Sequence, residues 1–505
     1  MCVLIKARQL ARGAAAPVEG WSRRSASLVG AVHGAAAFML AVEACASSVT
    51  IGLNFTGSDL YQSGFIPPDT MGAVGPNQIV EFLNGRYAVY SKSDGSLVSA
   101  TSLNSFWSNA GATPTGYTSD PRIVYDPQSG HWFASAMDNP GAANNNFLVA
   151  VSKNADPTAG WTAFKIASDP SGSSTADFPQ LGINQAGVYL SANMFPTTAS
   201  GSPQTEVVVV PKNDLIAGSV ANVTKFTALD PNTTGFTVHP AVDFHSASTT
   251  LPLLSDYNTP AGYIKVSTVS QNPTIATPQL NTAGGFVSVD PKNLPPDARQ
   301  PGGATPLNTG DNRFSGSVVY VNGDLWGVQS IQQGTDAALR WFRIGNPNSG
   351  SPTVLESGII DGASLPGFNG FDFYYGSIAV NAQGQIVIGF TGSSATQYAS
   401  SYAMVGQTLG GSTTFGNPIL LKAGAATYTR LDSTGRNRWG DYSSTVEDPT
   451  QANTFWTFQE FASAQNVWSV QITELTVPDG GSTGLLLAGA WGGLWLLRRR
   501  GGSAA

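Results

Sequence analysis

The residues in this chain best suited to chemistry are carboxylates at the head of similar phrases. Such phrases open at Asp69 ("DTMGAVGPNQIVEFLN"), Asp120 ("DPRIVYDPQSGHWFASAM") and Asp177 ("DFPQLGINQAGVYLSANM"), and again near His239, Asn312, Asp372 and Arg438. If each opener heads an equivalent strand, then Asp69, Asp120, Asp177, His239, Asp372, Arg438 and Asp441 gather in one place. Gathered carboxylates raise one another's pKa or hold a hard cation, Ca²⁺ being the candidate. Two of them at the right separation also make the acid and base of a glycosidase. The plainer reading is that each Asp ties down its own turn through backbone hydrogen bonds. Arg313 and Arg438 share an Asn-Arg context. They either pair with neighbouring aspartates or face an anionic ligand such as an acidic sugar.

Other chemistries find little support. H-E-x-x-H, C-x-x-C, a phosphate loop and G-x-G-x-x-G are all missing from the sequence. The two cysteines, Cys2 and Cys45, both fall in the N-terminal leader described below. His239 and His245 stand six apart and could form a metal pair, although ordinary strand or loop histidines fit as well. Net charge is −7 with only 11% charged residues and no basic stripe, which excludes a nucleic-acid partner. Trp107, Trp132, Trp161, Trp326, Trp341, Trp439, Trp456 and Trp468 are spread along the chain, as core residues or, for a few, as sugar platforms.

The elements that must position these residues are short strands. From Ser47 to Thr476 β-branched and aromatic runs such as "TEVVVVP" and "QIVIGFTG" alternate with Gly, Pro, Asn and Asp. The openers are separated by 51, 57, 62, 73, 60 and 66 residues. About four short strands per unit, repeated seven times, is the pattern of a β-propeller. The expected fold class is all-β: one propeller of seven blades, with six or eight as the alternatives, followed by a C-terminal transmembrane helix. The run "SVTIGLNF" (Ser48 to Phe55) precedes the first unit and should complete the last blade beside "NVWSVQITELTV" (Asn466 to Val477), closing the ring. The competing architecture is a pair of β-sandwiches, for which the Pro-rich stretch Asp290 to Pro306 would be the linker.

Both ends carry export features. Arg23 and Arg24, an apolar run from Ser25 to Val42 and Ala44-Cys45-Ala46 make residues 1–46 a signal peptide with an extended n-region, cleaved after Ala46. A twin-arginine signal, a lipidated Cys45 and an uncleaved anchor are the alternatives. At the other end, Thr483 to Leu497 is an apolar run of 15 residues. As a helix it measures about 22 Å, short of the ~30 Å hydrocarbon core. Arg498, Arg499 and Arg500 would form its cytoplasmic stop, with 501–505 as a tail.

Val477, Pro478, Asp479, Gly480 and Gly481, then the apolar run, then the arginines, resemble the PEP-CTERM class of sorting signals in its VPDSG-like variant. That resemblance covers 477–500. It implies a Gram-negative bacterium, a membrane-embedded exosortase that cleaves near the motif, and a cell-surface or exopolysaccharide setting. The blade phrases "PPDTMGAVGPNQIVEFLNG", "DPRIVYDPQSGHWF" and "NRWGDYSSTVEDP" resemble exported bacterial propellers that are mostly uncharacterised. There is a looser likeness to sialidase-type propellers, but "DPQSGHW" and "DSTGRNRW" only echo their Asp-box. The expected protein is thus an exported surface or matrix propeller that binds a ligand or acts as a scaffold, with a propeller glycoside hydrolase or lyase acting on exopolysaccharide as the alternative. Its expected partners are signal peptidase, an exosortase-like enzyme, the membrane before processing, and polysaccharide.

Overall fold

The computed structural model describes residues 49–198, 201–256, 262–271 and 277–478. The leader, Asp479, Gly480, Gly481, the expected transmembrane run and Arg498 to Arg500 lie outside the described residues. Among the described residues no helix is long and apolar enough to cross a membrane. The helices present are short, the longest being the seven residues Leu103–Asn109.

Strands dominate, in seven antiparallel sheets. The innermost strands are, in chain order, Met71–Val74, Thr118–Asp126, Ser174–Ile183, Phe236–Pro240, Val319–Val321, Phe371–Val380 and Ser444–Glu447, and they define blades 1 to 7. Blades 4 and 6 split their outermost position between two short strands. Neighbouring inner strands touch in sequence, through parallel bridges from Ile183 to Val242 and from Val242 to Val319, and Ser444–Glu447 touches Met71–Val74. The sheets therefore form a closed seven-bladed propeller. A single blade leaves both faces wet, and packing blades around an axis buries them without exposing long edges.

Closure occurs as the sequence led us to expect. Thr50–Asp59 pairs antiparallel with Val467–Thr476 and becomes the outer strand of blade 7. Ser58 N–H and hydroxyl donate to the buried Glu81 of blade 1, and Trp468 Nε1 donates to Phe65 O at 3.1 Å. A buried ion pair joins the same seam, Lys92 Nζ of blade 1 lying 2.7 Å from Asp448 Oδ2 of blade 7. Lys212 of blade 3 and Asp126 of blade 2 repeat it at 2.8 Å.

All eight tryptophans named above are buried between or within blades. The Pro-rich stretch is not a linker. It lies in a loop between blades 4 and 5 that interlocks with the loop between blades 6 and 7. Ala298 pairs with Leu307 and Asn308 with Arg438, while Gln300 and Tyr428 exchange hydrogen bonds of 2.8 and 2.9 Å. These two loops cap one side of the ring.

A repeated backbone device begins the inner strands. Asp69, Asp120, Phe178, Thr237 and Tyr375 all have left-handed φ, between 49° and 57°. Asp120, Phe178, Thr237 and Tyr375 each sit in a register shift of the first hairpin, where a bulge re-aims the side chains that follow.

Candidate functional site at one mouth of the channel

Five of the expected residues come together: Asp69, Asp120, Asp177, Arg438 and Asp441. The three aspartates at the lower numbers come from inner-strand openings of blades 1 to 3, whereas Arg438 and Asp441 come from the second cap loop. The first cap loop adds Arg313 and Asp311, paired through Nε at 2.6 Å.

Asp69 and Asp120 form the floor. Asp69 is 3% exposed and Asp120 9%. Asn84 joins them: its Nδ2 donates to Asp69 Oδ2 at 2.6 Å and its Oδ1 accepts from Asp120 N at 2.9 Å. Burial, then the negative charges of Asp441 and Asp120, push the Asp69 carboxyl well above its ordinary pKa. Burial and the Asp177 charge push Asp120 up to about 7, while the adjacent Asp69 carboxyl opposes the rise. Burial and the neighbouring negative charges thus favour the protonated form at both carboxyls. Two neighbouring carboxyls in a low dielectric resist carrying two charges at once.

The rim is wetter. Asp177 reaches solvent, yet the protein around it still raises its pKa against the pull of Arg313 and Arg438. Asp441 is partly buried and pairs with the Arg438 guanidinium. Arg313 lies over the Phe178 ring, 5.1 Å from its centroid, and Phe178 packs against Tyr442 at 4.7 Å.

Beneath the floor Arg122 fills the channel. Its Nε donates to Pro179 O at 2.9 Å, Nη1 to Ser315 O at 3.1 Å, and its guanidinium carbon stands 3.7 Å above the Tyr442 ring centroid. Arg122 Nη2, Tyr442 OH and Asp69 Oδ1 have no protein hydrogen-bond partner. Glu460 is also buried beside the site, held by Thr70 Oγ1 at 2.7 Å, and burial keeps its carboxyl well above the ordinary range.

Two expected members sit elsewhere. His239 comes two residues after the left-handed Thr237, the register of Arg122 after Asp120, so it points into the channel rather than to its mouth. Its Nε2 lies 2.8 Å from Phe314 O, and burial, with help from Arg122 and Arg313, lowers its pKa to about 3, so it is neutral and donates there. Asp372 precedes the left-handed Tyr375 by three residues and is fully buried. It receives Arg299 N, Nε and Nη2 at 2.9, 2.8 and 3.0 Å and Ala337 N at 3.0 Å, which fastens the first cap loop to blades 5 and 6. His245 faces the opposite mouth, 2.8 Å from Glu447, beside an apolar recess of about 620 Å³ including its open entrance. The two histidines thus do not form a metal pair. Among the described residues no three His, Cys, Asp or Glu side chains converge to hold a metal ion, so the Ca²⁺ expectation has no ligand set there.

Arg122, Asn84, Tyr442 and Asp311 were not singled out from the sequence. Arg122 had a signal, the "DPR" after the second opener. Asp311 had none, because the cap loop repeats nothing.

No family model and no curated protein matches the chain. Among solved structures it is similar to a subtype N10 neuraminidase-like protein of A/little yellow-shouldered bat/Guatemala, at 8% identity over 67% of this chain and 96% of that one, with a TM-score of 0.37. It is also similar to Trypanosoma rangeli sialidase, at 12% identity over 80% and 59%, TM-score 0.35. A third is endo-arabinase from Bacteroides thetaiotaomicron, at 11% identity over 57% and 93%, TM-score 0.31. Likeness this distant carries no argument about activity.

Proposed function

We propose that this is an exported cell-surface or matrix propeller that binds a hydroxyl-rich saccharide at the carboxylate-lined mouth without altering it. The observation that carries the reading is the division of the mouth into a sealed floor and a wet rim. Asp69 and Asp120 are buried, and Asn84 ties the Asp69 carboxyl to the Asp120 backbone. Asp177, Asp441 and Arg438 stand at the rim with acceptors and donors that sugar hydroxyls can use. Export, sorting by an exosortase-like enzyme and exopolysaccharide as the ligand source rest on the two chain ends and their sequence alone.

A propeller glycoside hydrolase is the second reading. It is favoured by Asp120, whose proton affinity near 7 suits a general acid.

Glycan-array binding by the purified protein, with and without Ca²⁺, tests the proposal. Binding that falls at least tenfold in Arg438→Gln, with the glycan recovered intact, is expected. No glycan bound under either condition refutes it, and cleaved glycan hands the site to the second reading.

A further inference from the structure

Both ends of the propeller leave from the face opposite the carboxylates. In blade 7, Ser444–Glu447 runs away from Arg438 and Asp441. Thr454–Ala464 returns, with Phe455 beside Glu447 and Phe458 beside Ser444. Val467–Thr476 runs away again, with Val467 beside Ala464 and Thr476 beside Thr454. Thr476 therefore lies at the far end, and Thr50, its partner, starts there too.

The exit is also pinned. Val477 is buried and its N–H donates to Asn453 O at 2.8 Å, while Gln385 Nε2 donates to Val477 O at 3.1 Å and Pro478 O at 3.2 Å. Only Asp479 to Ser482 separate Pro478 from the apolar run that starts at Thr483. Four extended residues reach about 14 Å. The strand Val467–Thr476 has ten residues, about 33 Å of length. A tether that short cannot run back along the blade to bring the carboxylate mouth down to a bilayer.

We propose that, while the chain is anchored, the face bearing the first-hairpin turns lies against the lipid headgroups and the carboxylate mouth looks away from the membrane. This rests on reading Thr483 to Leu497 as a membrane anchor. Part of that face's chemistry agrees with it, although Asp94, Asp156 and Glu447 also stand there. Four of the turns ending the inner strands are uncharged: Gly75-Pro76-Asn77, Asn184-Gln185-Ala186, Asn322-Gly323 and Asn381 to Gly384. Lys92 and Lys212, on the same side, are buried in ion pairs. The acidic mouth, by contrast, would be repelled by an anionic surface within a Debye length, about 8–10 Å.

The test uses the purified chain from Ser47 to Ala505, with the leader removed and the C-terminus uncleaved, which has no cysteine of its own and carries a single fluorophore. One version is labelled at Ala382→Cys, exposed in the blade 6 turn, and the other at Ser433→Cys, exposed in the hairpin before Arg438. Each is reconstituted in 3:1 phosphatidylethanolamine–phosphatidylglycerol vesicles containing headgroup-spin-labelled lipid. Quenching several-fold stronger at position 382 than at 433 is expected. Inserting 30 Gly/Ser residues after Ser482, with a root-mean-square span of about 30 Å, should erase the difference. Equal quenching of the two labels in a chain that floats with vesicles overturns the orientation. A difference that survives the insertion overturns the tether as its cause. A chain that does not float overturns the anchor reading itself, and the orientation with it.

Discussion

Replacing Lys92 by Met should loosen the closing seam by a measurable amount. Lys92 is 8% exposed; its Nζ donates to Asp448 Oδ1 at 2.8 Å, Thr450 Oγ1 at 2.9 Å and Gly75 O at 3.2 Å. Lys92→Met leaves the Asp448 carboxylate buried without a countercharge, a change that typically costs about 3–5 kcal/mol. The lower end applies here, because Asp448 keeps Trp456 Nε1 at 2.9 Å, Thr450 N at 2.8 Å and Gln451 N at 2.9 Å. Unfolding entropy near 2.1 cal/mol/K per residue, over roughly 430 residues, gives ~0.9 kcal/mol/K. About 3 kcal/mol then lowers Tm by about 3–4 °C in differential scanning calorimetry. The double variant Lys92→Met/Asp448→Asn should recover most of that loss, since no unpaired buried charge remains. A Lys92→Met protein that melts like the parent, or a double variant worse than both singles, would show that the pair does not hold the seam in this way.

Asp120→Asn should stabilise the protein at pH 8 by on the order of 2 kcal/mol and have little effect at pH 4. The sign follows from linkage. The folded carboxyl titrates near 7 and the unfolded one near 3.9, so the folded state binds more protons and loses stability as pH rises between those values. Urea denaturation of both proteins across that range checks it, and a benefit largest at pH 4 would contradict the assignment. Asp372→Ala should release the first cap loop. Stability should fall by about 2–4 kcal/mol, and limited proteolysis should cut newly between 291 and 309. A loop that stays resistant would show that Arg299 and Asp372 do not fasten it.

How far the fold and the site can be read from sequence depends on how local the information is. The repeat of about sixty residues, the turn residues between strands and the unmatched run before the first unit are all chain-local. They were enough to favour an all-β ring of seven blades, over six or eight, closed by its N-terminal strand. The convergence of Asp69, Asp120 and Asp177 followed from the same repeat, because equivalent strand openings in a ring share one end of its channel.

Side-chain register did not follow. Alternate residues point to opposite sides of a strand, and a bulge adds one residue. His239 and Asp372 therefore left the group by two or three positions relative to Thr237 and Tyr375, although their phrases matched the others. Nor could the sequence show that two dissimilar loops interlock over the mouth and bring Asp311, Arg313, Arg438 and Asp441 to it. The raised proton affinity of Asp69 is more remote still. It depends on the burial of Asp69 and on the charges of Asp441 and of Asp120, the latter 51 residues away in sequence. The sequence alone pointed to an all-β ring of about seven blades, to how it closes and to which residue types could reach its mouth, because these follow from local periodicity. Only the tertiary structure decided which residues meet there and in what charge state, because register, burial and desolvation are properties of the packed ring.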